Sequence, residues 1–275
     1  MSAHVANHIP KCRECHFPMP VGMKQCRNPK CRAWNVSKPI QLDDSTVLMS
    51  QTTTSTVRRI PSGLVDTVFG GGIACTSVNL LAGEPGAGKT TLSLQLCDIL
   101  VQHYNRTKEA LYIANEQSAE EIAETGNRLG LANADKIRIV KAMGGVTHDI
   151  GDLLIHYKPC LAVLDSVTKW AGEDMSLAVV IVQRLKDYCV KLECPALVVN
   201  QVTKDGDHAG LKQLEHAVDM AAMFDIITDV VDEAGNPLPV KLAPRRLLSS
   251  KNRFGSAPEE QFYTMTATGL VETII

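Results

Sequence analysis

The sequence predicts an α/β domain with a mostly parallel sheet, preceded by a small module built around cysteines. Short apolar runs alternate with segments of helical periodicity from residue 77 onward, and four of the nine cysteines fall within the first 31 residues. With 275 residues and 45% hydrophobic composition, the chain can bury one large core and still carry an appendage. We place the module at 1–38, a flexible linker at 39–57 and the α/β domain at 58–275.

Strands and helices alternate along the larger domain. Runs rich in Val, Ile, Leu and Ala predict five strands, at 77–82, 110–114, 136–140, 161–165 and 196–200. Apolar residues spaced three and four apart predict the helices between them, at 90–104, 119–129, 149–157 and 176–192. Parallel strands need such crossover helices, so the alternation favours a parallel sheet. Later runs without intervening helices predict antiparallel strands at one edge, at 217–227, 246–251 and 261–266.

Charge and hydropathy narrow the class of protein. The formal net charge of -2 provides no overall basic field, so any contact with nucleic acid has to come from a local patch. No apolar run approaches the roughly 20 residues that span a bilayer, and residues 1–10 lack the apolar core of a secretory signal, so we expect a cytoplasmic protein. In that reducing compartment the scattered cysteines are expected to be buried thiols, namely Cys75, Cys97, Cys160, Cys189 and Cys194.

A glycine-rich run, GEPGAGKT, links the first strand to the first helix. Its glycines let backbone N–H groups converge on phosphate oxygens, Lys89 supplies positive charge for the outer phosphates, and Thr90 can bind Mg²⁺. A strand before the run and a helix after it are the context in which this pattern binds ATP. The predicted nucleotide contacts are Gly83, Glu84, Pro85, Gly86, Ala87, Gly88, Lys89, Thr90 and Thr91.

Two carboxylates follow later strands and are candidates for the chemistry of hydrolysis. Asp165 ends an apolar strand, where it would hold Mg²⁺ together with Thr90; the alternative is a helix-capping Asp. Glu116 follows the strand at 110–114 and is the candidate general base. The alternative for Glu116 is a helix start capped by Ser118 and Glu121, and the two interpretations are compatible.

The N-terminal cysteines form two pairs, with Cys12 and Cys15 separated by two residues and Cys26 and Cys31 by four. Two thiolate pairs on turns suit tetrahedral Zn²⁺, and a module this small needs a metal to fold. The four-residue gap is wider than the commonest spacing of two, so His16 is an alternative ligand.

The order of these motifs resembles the RadA/Sms branch of the RecA–DnaB superfamily, which comprises ring-forming motors of DNA repair and branch migration. The resemblance covers the cysteine module and four later stretches, at 59–73, 202–206, 214–219 and 251–255. The last of them, KNRFG, is nearly diagnostic of that family. The resemblance implies a RecA-like P-loop ATPase core with a zinc-ribbon-like module. RadA proteins are longer and end in a Lon-protease-like domain, so we expect a compact version from a phage or mobile element.

The same resemblance implies roles for residues far from the phosphate loop. Lys251 and Arg253 of KNRFG would act on the nucleotide of a neighbouring subunit, whereas composition alone favours a basic turn. Gln201 would sense the γ-phosphate, at a position where RadA proteins usually carry histidine and RecA carries glutamine. Two DNA-binding loops would face the ring channel, at 202–214 and 168–176. Their candidate DNA contacts are Lys204, His208, Lys212, Lys169 and Trp170, although Trp170 is equally a packing candidate.

The sequence is therefore consistent with three functions. We expect a ring-forming motor of six subunits that hydrolyses ATP on single-stranded or forked DNA, as a helicase or branch-migration factor in recombination, repair or replication. The first alternative is a RecA-like protein that binds or anneals DNA under ATP control, and the second is a KaiC-like regulatory ATPase acting on proteins. The zinc module would contact DNA or dock a replisome or recombinase partner, unless its basic residues are only a solvated face. Those residues are Lys11, Arg13, Lys24, Arg27, Lys30 and Arg32.

Overall fold

The computed structural model describes residues 12, 14–17, 25–32, 57–141, 150–202, 208–228, 230, 238–240 and 242–274. The chain divides into two compact units, residues 1–55 and 56–275. Within the described ranges, no helix is both long enough and apolar enough to cross a membrane.

The larger unit alternates strands with helices over most of its length. Its strands are β1 (Arg59–Ile60), β2 (Ile73–Ala74), β3 (Val78–Gly83), β4 (Ala110–Ala114), β5 (Ile137–Lys141), β6 (Leu161–Asp165), β7 (Ala196–Gln201), β8 (Met220–Ile226), β9 (Arg245–Asn252), β10 (Glu260–Thr266) and β11 (Gly269–Thr273). Its α-helices are α1 (Asp66–Phe69), α2 (Lys89–His103), α3 (Ala119–Leu129), α4 (Ile150–Tyr157), α5 (Val167–Trp170), α6 (Met175–Leu192) and α7 (His208–Ala217). A short 3₁₀ helix spans Ala134–Lys136.

In the part of the chain that the structure describes, nine strands form one sheet in the order β11-β10-β9-β8-β3-β7-β6-β4-β5, and β1 pairs with β2 separately. From β8 to β5 all neighbouring strands are parallel, whereas β9, β10 and β11 are antiparallel additions. β3, β4 and β6 are buried along their whole length, which explains their unbroken apolar sequences. The prediction of a mostly parallel α/β fold is confirmed.

The structure corrects three predictions about individual segments. The run at 217–227 was expected to be antiparallel, but β8 lies parallel to β3, with Met220 beside Asn79. The physical reason is α7, which provides the crossover that a parallel strand needs. That helix also occupies part of the segment 202–214, which was predicted to be a DNA-binding loop. Likewise, α5 and the start of α6 occupy most of the loop predicted at 168–176.

The sheet separates two apolar cores. Leu81 and Tyr112 point to one face, which α2 and α3 cover, and Leu80 and Ile113 point to the other, which α4, α6 and α7 cover. Because both faces are covered, the carboxyl ends of the parallel strands form the edge at which ligands bind in such folds.

Two sequence motifs, separated by almost 200 residues, pack against each other beside this sheet. The Arg59 guanidinium donates to the carbonyl oxygens of Phe69, at 3.3 Å, and of Phe254. Gly70 ends α1 with φ of 70°, and a Cβ on it would lie 3.2 Å from the Gly255 Cα. Glycine is therefore required where the stretch at 59–73 meets KNRFG.

Candidate nucleotide cleft and metal centre

The phosphate loop joins β3 to α2, as the sequence predicts. Gly86 and Gly88 have φ of 81° and 109°, a region that favours glycine. A Cβ on Gly88 would lie 2.7 Å from the Met265 Cε, and a Cβ on Gly83 would lie 2.2 Å from the Phe224 carbonyl oxygen. Gly83 therefore has no room for a side chain, whereas Gly86 and Gly88 are favoured by their positive φ. The turn leads directly to the free N–H groups of the first turn of α2, which suit an anion.

Lys89 is the first residue of α2 and is almost completely buried, with 7% of its surface exposed. Its Nζ donates to the carbonyl oxygens of Gly83, at 2.7 Å, and Glu84, at 2.8 Å. Burial lowers the pKa of Lys89, while the charges of Asp165 and Glu116 act in the opposite direction. A cation held this way at a helix N-terminus is positioned for phosphate oxygens.

Asp165 ends β6 and faces the start of α2. Its Oδ2 accepts a hydrogen bond from the Tyr112 hydroxyl at 2.6 Å and lies 3.5 Å from the Thr90 Oγ1. Burial is the largest influence and raises the pKa of Asp165. The N-cap of α5 is Ser166, so the helix-capping alternative for Asp165 does not hold. A carboxylate beside a hydroxyl fits the oxygen ligands that Mg²⁺ prefers, and Thr90 and Asp165 are the residues that would hold it.

Glu116 lies just beyond β4, between the ends of β6 and β7. One carboxylate oxygen accepts a hydrogen bond from the Ser166 hydroxyl, and the other accepts one from the Gln201 side-chain amide. The helix-start alternative also holds, because the Glu121 N–H donates to the Ser118 Oγ at 3.2 Å in a capping box. Glu116 precedes the Ser118 cap, so its side chain takes no part in capping the helix.

A cleft of about 630 Å³ contains these groups and extends past them. Its lining includes residues that the sequence did not indicate, namely Gln117, Thr125, Arg128, Arg245 and Met265. Gln117 follows Glu116, and Thr125 and Arg128 lie on α3, whereas Arg245 and Met265 come from β9 and β10 and reach the cleft only through the sheet topology.

Arg245 is the least expected of these residues because it is a cation with 4% of its surface exposed. One guanidinium nitrogen donates to the carbonyl oxygens of Val240, at 3.1 Å, and Ala243, while its Nε has no partner within the described structure. Burial lowers the pKa of Arg245. The described structure also gives it no carboxylate partner, and a buried cation without one is costly unless a ligand supplies the missing contacts.

The KNRFG residues lie at the opposite edge of the sheet from the cleft. Lys251 is paired with Ala221 near the start of β8, and its Nζ donates to three carbonyl oxygens at the end of α7. Arg253 forms an ion pair with the buried Asp219, at 3.2 Å, and Lys186 pairs with the same carboxylate. Neither Lys251 nor Arg253 lines the cleft of its own chain.

The predicted DNA contacts are distributed over α5 and α7. Lys169 is exposed and pairs with Glu173 at 2.6 Å, whereas Trp170 is partly buried and packs against the core on that face. Lys212 is exposed on α7. His208 begins that helix, but its side chain and the whole of Lys204 lie outside the described residues.

The four N-terminal cysteines come together, with all four Sγ atoms within 4.8 Å of one another. Cys12 and Cys26 are buried, whereas Cys15 and Cys31 are partly exposed. Four sulfurs at this separation fit the tetrahedral ligand set of a structural Zn²⁺. The alternative ligand, His16, is not part of this group.

Comparisons with known proteins agree with this picture. The family described as "ATPase: KaiC" matches residues 60–141. A DNA repair protein RadA from Aquifex aeolicus is 31% identical over 280 residues, which cover 95% of this chain and 58% of that protein. A DNA repair protein RadA from Mycobacterium tuberculosis is 32% identical over 222 residues, covering 78% of this chain and 43% of that protein.

A solved structure also matches over most of the chain. The KaiC-like protein PH0186 from Pyrococcus horikoshii superimposes with a TM-score of 0.62 at 18% identity, covering 79% of this chain and all of that one. The fold is thus RecA-like and of the KaiC type, and the predicted resemblance to RadA proteins is confirmed. The chain spans just over half the length of the Aquifex relative.

Proposed function

We propose that this RadA-like chain is an ATPase that works as a ring, of six subunits by resemblance, on single-stranded or forked DNA. In this proposal it is a helicase or branch-migration factor in recombination, repair or replication. One observation carries the proposal: the phosphate loop, Asp165, Glu116 and Gln201 line one cleft at the carboxyl edge of the sheet. The RadA relatives, which are described as DNA repair proteins, support the DNA part of it.

The cleft provides a distinct contact for each part of ATP. The N-terminus of α2 and Lys89 receive the β- and γ-phosphates, and Thr90 and Asp165 hold Mg²⁺, which neutralises phosphate charge when bound. Met265, beside Gly88, and the stem of Arg128 offer apolar surface for other parts of the nucleotide in the same cleft. The nucleotide would offer an acceptor for the single N–H of the buried Arg245 Nε.

Hydrolysis would depend on the pair formed by Glu116 and Gln201. The Glu116 carboxylate accepts the proton of the attacking water, or orients that water, at the edge where the γ-phosphate lies. Because Gln201 already donates to Glu116, it can exchange this partner for a γ-phosphate oxygen. That exchange would make the end of β7 sensitive to whether ATP or ADP is bound.

A second copy of the chain would complete each site. Lys251 and Arg253 lie at the opposite edge of the sheet from their own cleft, so they can meet a nucleotide only in the cleft of a neighbour. Head-to-tail contacts of this kind close into rings or extend into filaments. A guanidinium that reaches the γ-phosphate from the neighbour neutralises charge as it develops and couples hydrolysis to subunit movement.

Contact with DNA would come from a local patch, since the chain has no net positive charge. Lys169 and Lys212 are exposed, and the surface ion pair of Lys169 with Glu173 contributes little to stability, so it can be exchanged for a DNA phosphate. The partial burial of Trp170 favours a packing role over base stacking.

One feature of the sequence favours an alternative function, that of a RecA-like binding or annealing protein. Glutamine at position 201 resembles RecA more than RadA, and the ATP state would then control affinity for DNA without strand displacement. The KaiC-like regulatory alternative has the family match at 60–141 in its favour, but that match describes only the ATPase core.

Experiments on the purified chain distinguish between these functions. The motor predicts ATP turnover that single-stranded DNA stimulates, closed rings in negative-stain images with an ATP analogue, and displacement of a paired strand. Lys89→Ala serves as the inactive control. Filaments without strand displacement would contradict the motor and support the alternative.

For the N-terminal module we propose a zinc-bound unit at 1–38 joined by a linker at 39–57 to the ATPase domain at 58–275. It would dock a replisome or recombinase partner or contact forked DNA. Metal analysis of the full chain should give about one zinc per chain, lost in a Cys12→Ser, Cys15→Ser double variant. Cys160→Ser, which changes a buried thiol of the larger unit, is the matched control. Native protein without zinc would contradict this assignment.

A further inference from the structure

The residue before the proposed base, Asn115, bonds to Ser166 through both ends of its side-chain amide. The Asn115 Nδ2 donates to the Ser166 carbonyl oxygen at 3.0 Å, and the Ser166 N–H donates to the Asn115 Oδ1 at 2.6 Å. The Asn115 N–H also donates to the Asp165 carbonyl oxygen at 3.0 Å. Two side-chain hydrogen bonds therefore fix the ends of β4 and β6 to each other, in addition to the main-chain bond of the last ladder pair, Ala114 with Asp165.

Ser166 then passes this constraint to Glu116. It is fully buried, its hydroxyl donates to a Glu116 carboxylate oxygen, and the same hydroxyl lies 3.3 Å from the Thr168 Oγ1. Its carbonyl oxygen also accepts the Trp170 N–H at 3.1 Å, in the first turn of α5. The Asn115 amide thus bonds to the Ser166 main chain, and the Ser166 hydroxyl bonds to the Glu116 carboxylate. Because Asn115 and Glu116 are consecutive in the chain, the three residues form a closed ring of contacts.

This ring addresses a specific problem of the site. Glu116 follows the end of a strand and precedes the capping box of α3, so neither element orients its side chain. A general base has to lie within hydrogen-bond reach of its water, and a displacement of about 1 Å can lower the rate by about 100-fold. Ser166 holds one carboxylate oxygen of Glu116 and Gln201 bonds to the other, so the contact through Ser166 fixes the side that Asn115 can influence.

We propose that Asn115 is a positioning residue for ATP hydrolysis, which acts by fixing Ser166 so that the serine hydroxyl orients the Glu116 carboxylate. The inference rests on the proposed function, because it assumes that Glu116 activates the attacking water. The Asn115 side chain bonds to Ser166 in the described contacts, and the bond from Asn115 to Asp165 is a main-chain bond that alanine keeps. Loss of the amide is therefore expected to lower turnover without weakening nucleotide binding.

Asn115→Ala, Ser166→Ala and the double variant test the proposal in the full chain. Each single change should lower kcat by about 10-fold or more while the Kd for ATP stays within about 2-fold. The double variant should be no slower than Ser166→Ala, because Asn115 acts only through the serine. Asn127→Ala, which removes an exposed amide on α3, is the matched control.

Unchanged turnover in Asn115→Ala would overturn the proposal, and so would losses that multiply in the double variant. A second readout does not depend on activity: hydrogen exchange of residues 112–118 and 163–170 should speed up in Asn115→Ala and stay unchanged in Asn127→Ala. If the wild-type chain hydrolysed no ATP, the proposed function would fail. Unchanged exchange in Asn115→Ala would instead refute the ring of contacts itself.

Discussion

Lys89 and Lys251 both donate to main-chain carbonyl oxygens, one at the carboxyl edge of the parallel strands and the other at their amino edge. Lys89 bonds to two carbonyl oxygens, from Gly83 and Glu84, beside an open cleft. Lys251 bonds to three, from the last residues of α7 and the residue that follows it. A lysine ammonium has three donors, so Lys89 keeps one for a ligand, whereas the donors of Lys251 are all used.

The difference shows that the surroundings of a lysine determine whether it can bind a ligand or only stabilise the fold. In the proposed function Lys89 binds the phosphates, and its carbonyl contacts hold it in place. Lys251 stabilises the end of α7, where a cation meets free carbonyl groups and the helix dipole. To reach a neighbouring nucleotide, Lys251 would have to give up those bonds, whereas the Arg253 side chain is 52% exposed and has donors to spare.

Removal of the Lys89 charge should have the largest effect. Lys89→Met should weaken ATP binding by about 2–5 kcal/mol, a loss of affinity on the order of 30-fold or more, because a buried charged contact to phosphate disappears. Isothermal titration with a non-hydrolysable ATP analogue measures it, and Lys191→Met, at an exposed position near the end of α6, is the control. Equal affinities for the two variants would remove Lys89 from the site.

Glu116→Gln should leave that affinity in place and lower turnover by about 100-fold to 10,000-fold, since general base catalysis is lost. The amide keeps an oxygen to accept the Ser166 hydroxyl, so the ring of contacts is disturbed only in part. Single-turnover kinetics with saturating ATP give the rate. Normal turnover in this variant would exclude Glu116 as the base.

Lys251→Met should affect stability more than nucleotide binding, which is the reverse of Lys89→Met. Three carbonyl oxygens at the end of α7 lose their donor, and we expect a loss of about 1–3 kcal/mol in the free energy of unfolding. Urea unfolding of both variants side by side tests the contrast. If Lys89→Met were the less stable of the two, the comparison between the two edges would fail.

Arg253→Ala should have the smallest effect on stability, below about 1 kcal/mol, because the side chain is half exposed. Asp219 keeps Lys186 and the Val78 N–H as partners, so no buried charge is left unpaired. The same urea titration applies. A loss as large as that of Lys251→Met would mean that Arg253 is chiefly a structural residue.

Much of the fold could be predicted because its signals are local. The strands at 110–114 and 161–165 have the predicted bounds, since each is a short apolar run that ends where polar residues begin. The parallel direction of β8 was missed because α7 has ten residues and a mixed composition, and its lysine favoured a DNA-binding loop. Only the tertiary contacts of Leu211 and Leu214 with the core establish that helix.

The site residues likewise divide into those that a local sequence pattern predicts and those that only the tertiary structure reveals. The phosphate loop and the cysteine pairs are patterns of spacing, so the sequence alone contains them. Arg128, Arg245 and Met265 enter the cleft from three separate elements, and nothing near them in sequence indicates a ligand. The role of Asn115 could not be predicted either, because its contact with Ser166 depends on β4 and β6 being neighbours in the sheet.

The central claim is that the cleft of one chain works only with Arg253 of the next, and mixing two inactive variants tests it most directly. Arg253→Ala keeps an intact cleft and Glu116→Gln keeps an intact Arg253, so each alone should be inactive. In a ring of head-to-tail contacts, an equal mixture should recover about a quarter of the wild-type ATP turnover, from the interfaces that combine both intact halves. A mixture as inactive as its components, although the two variants co-assemble, would contradict the claim.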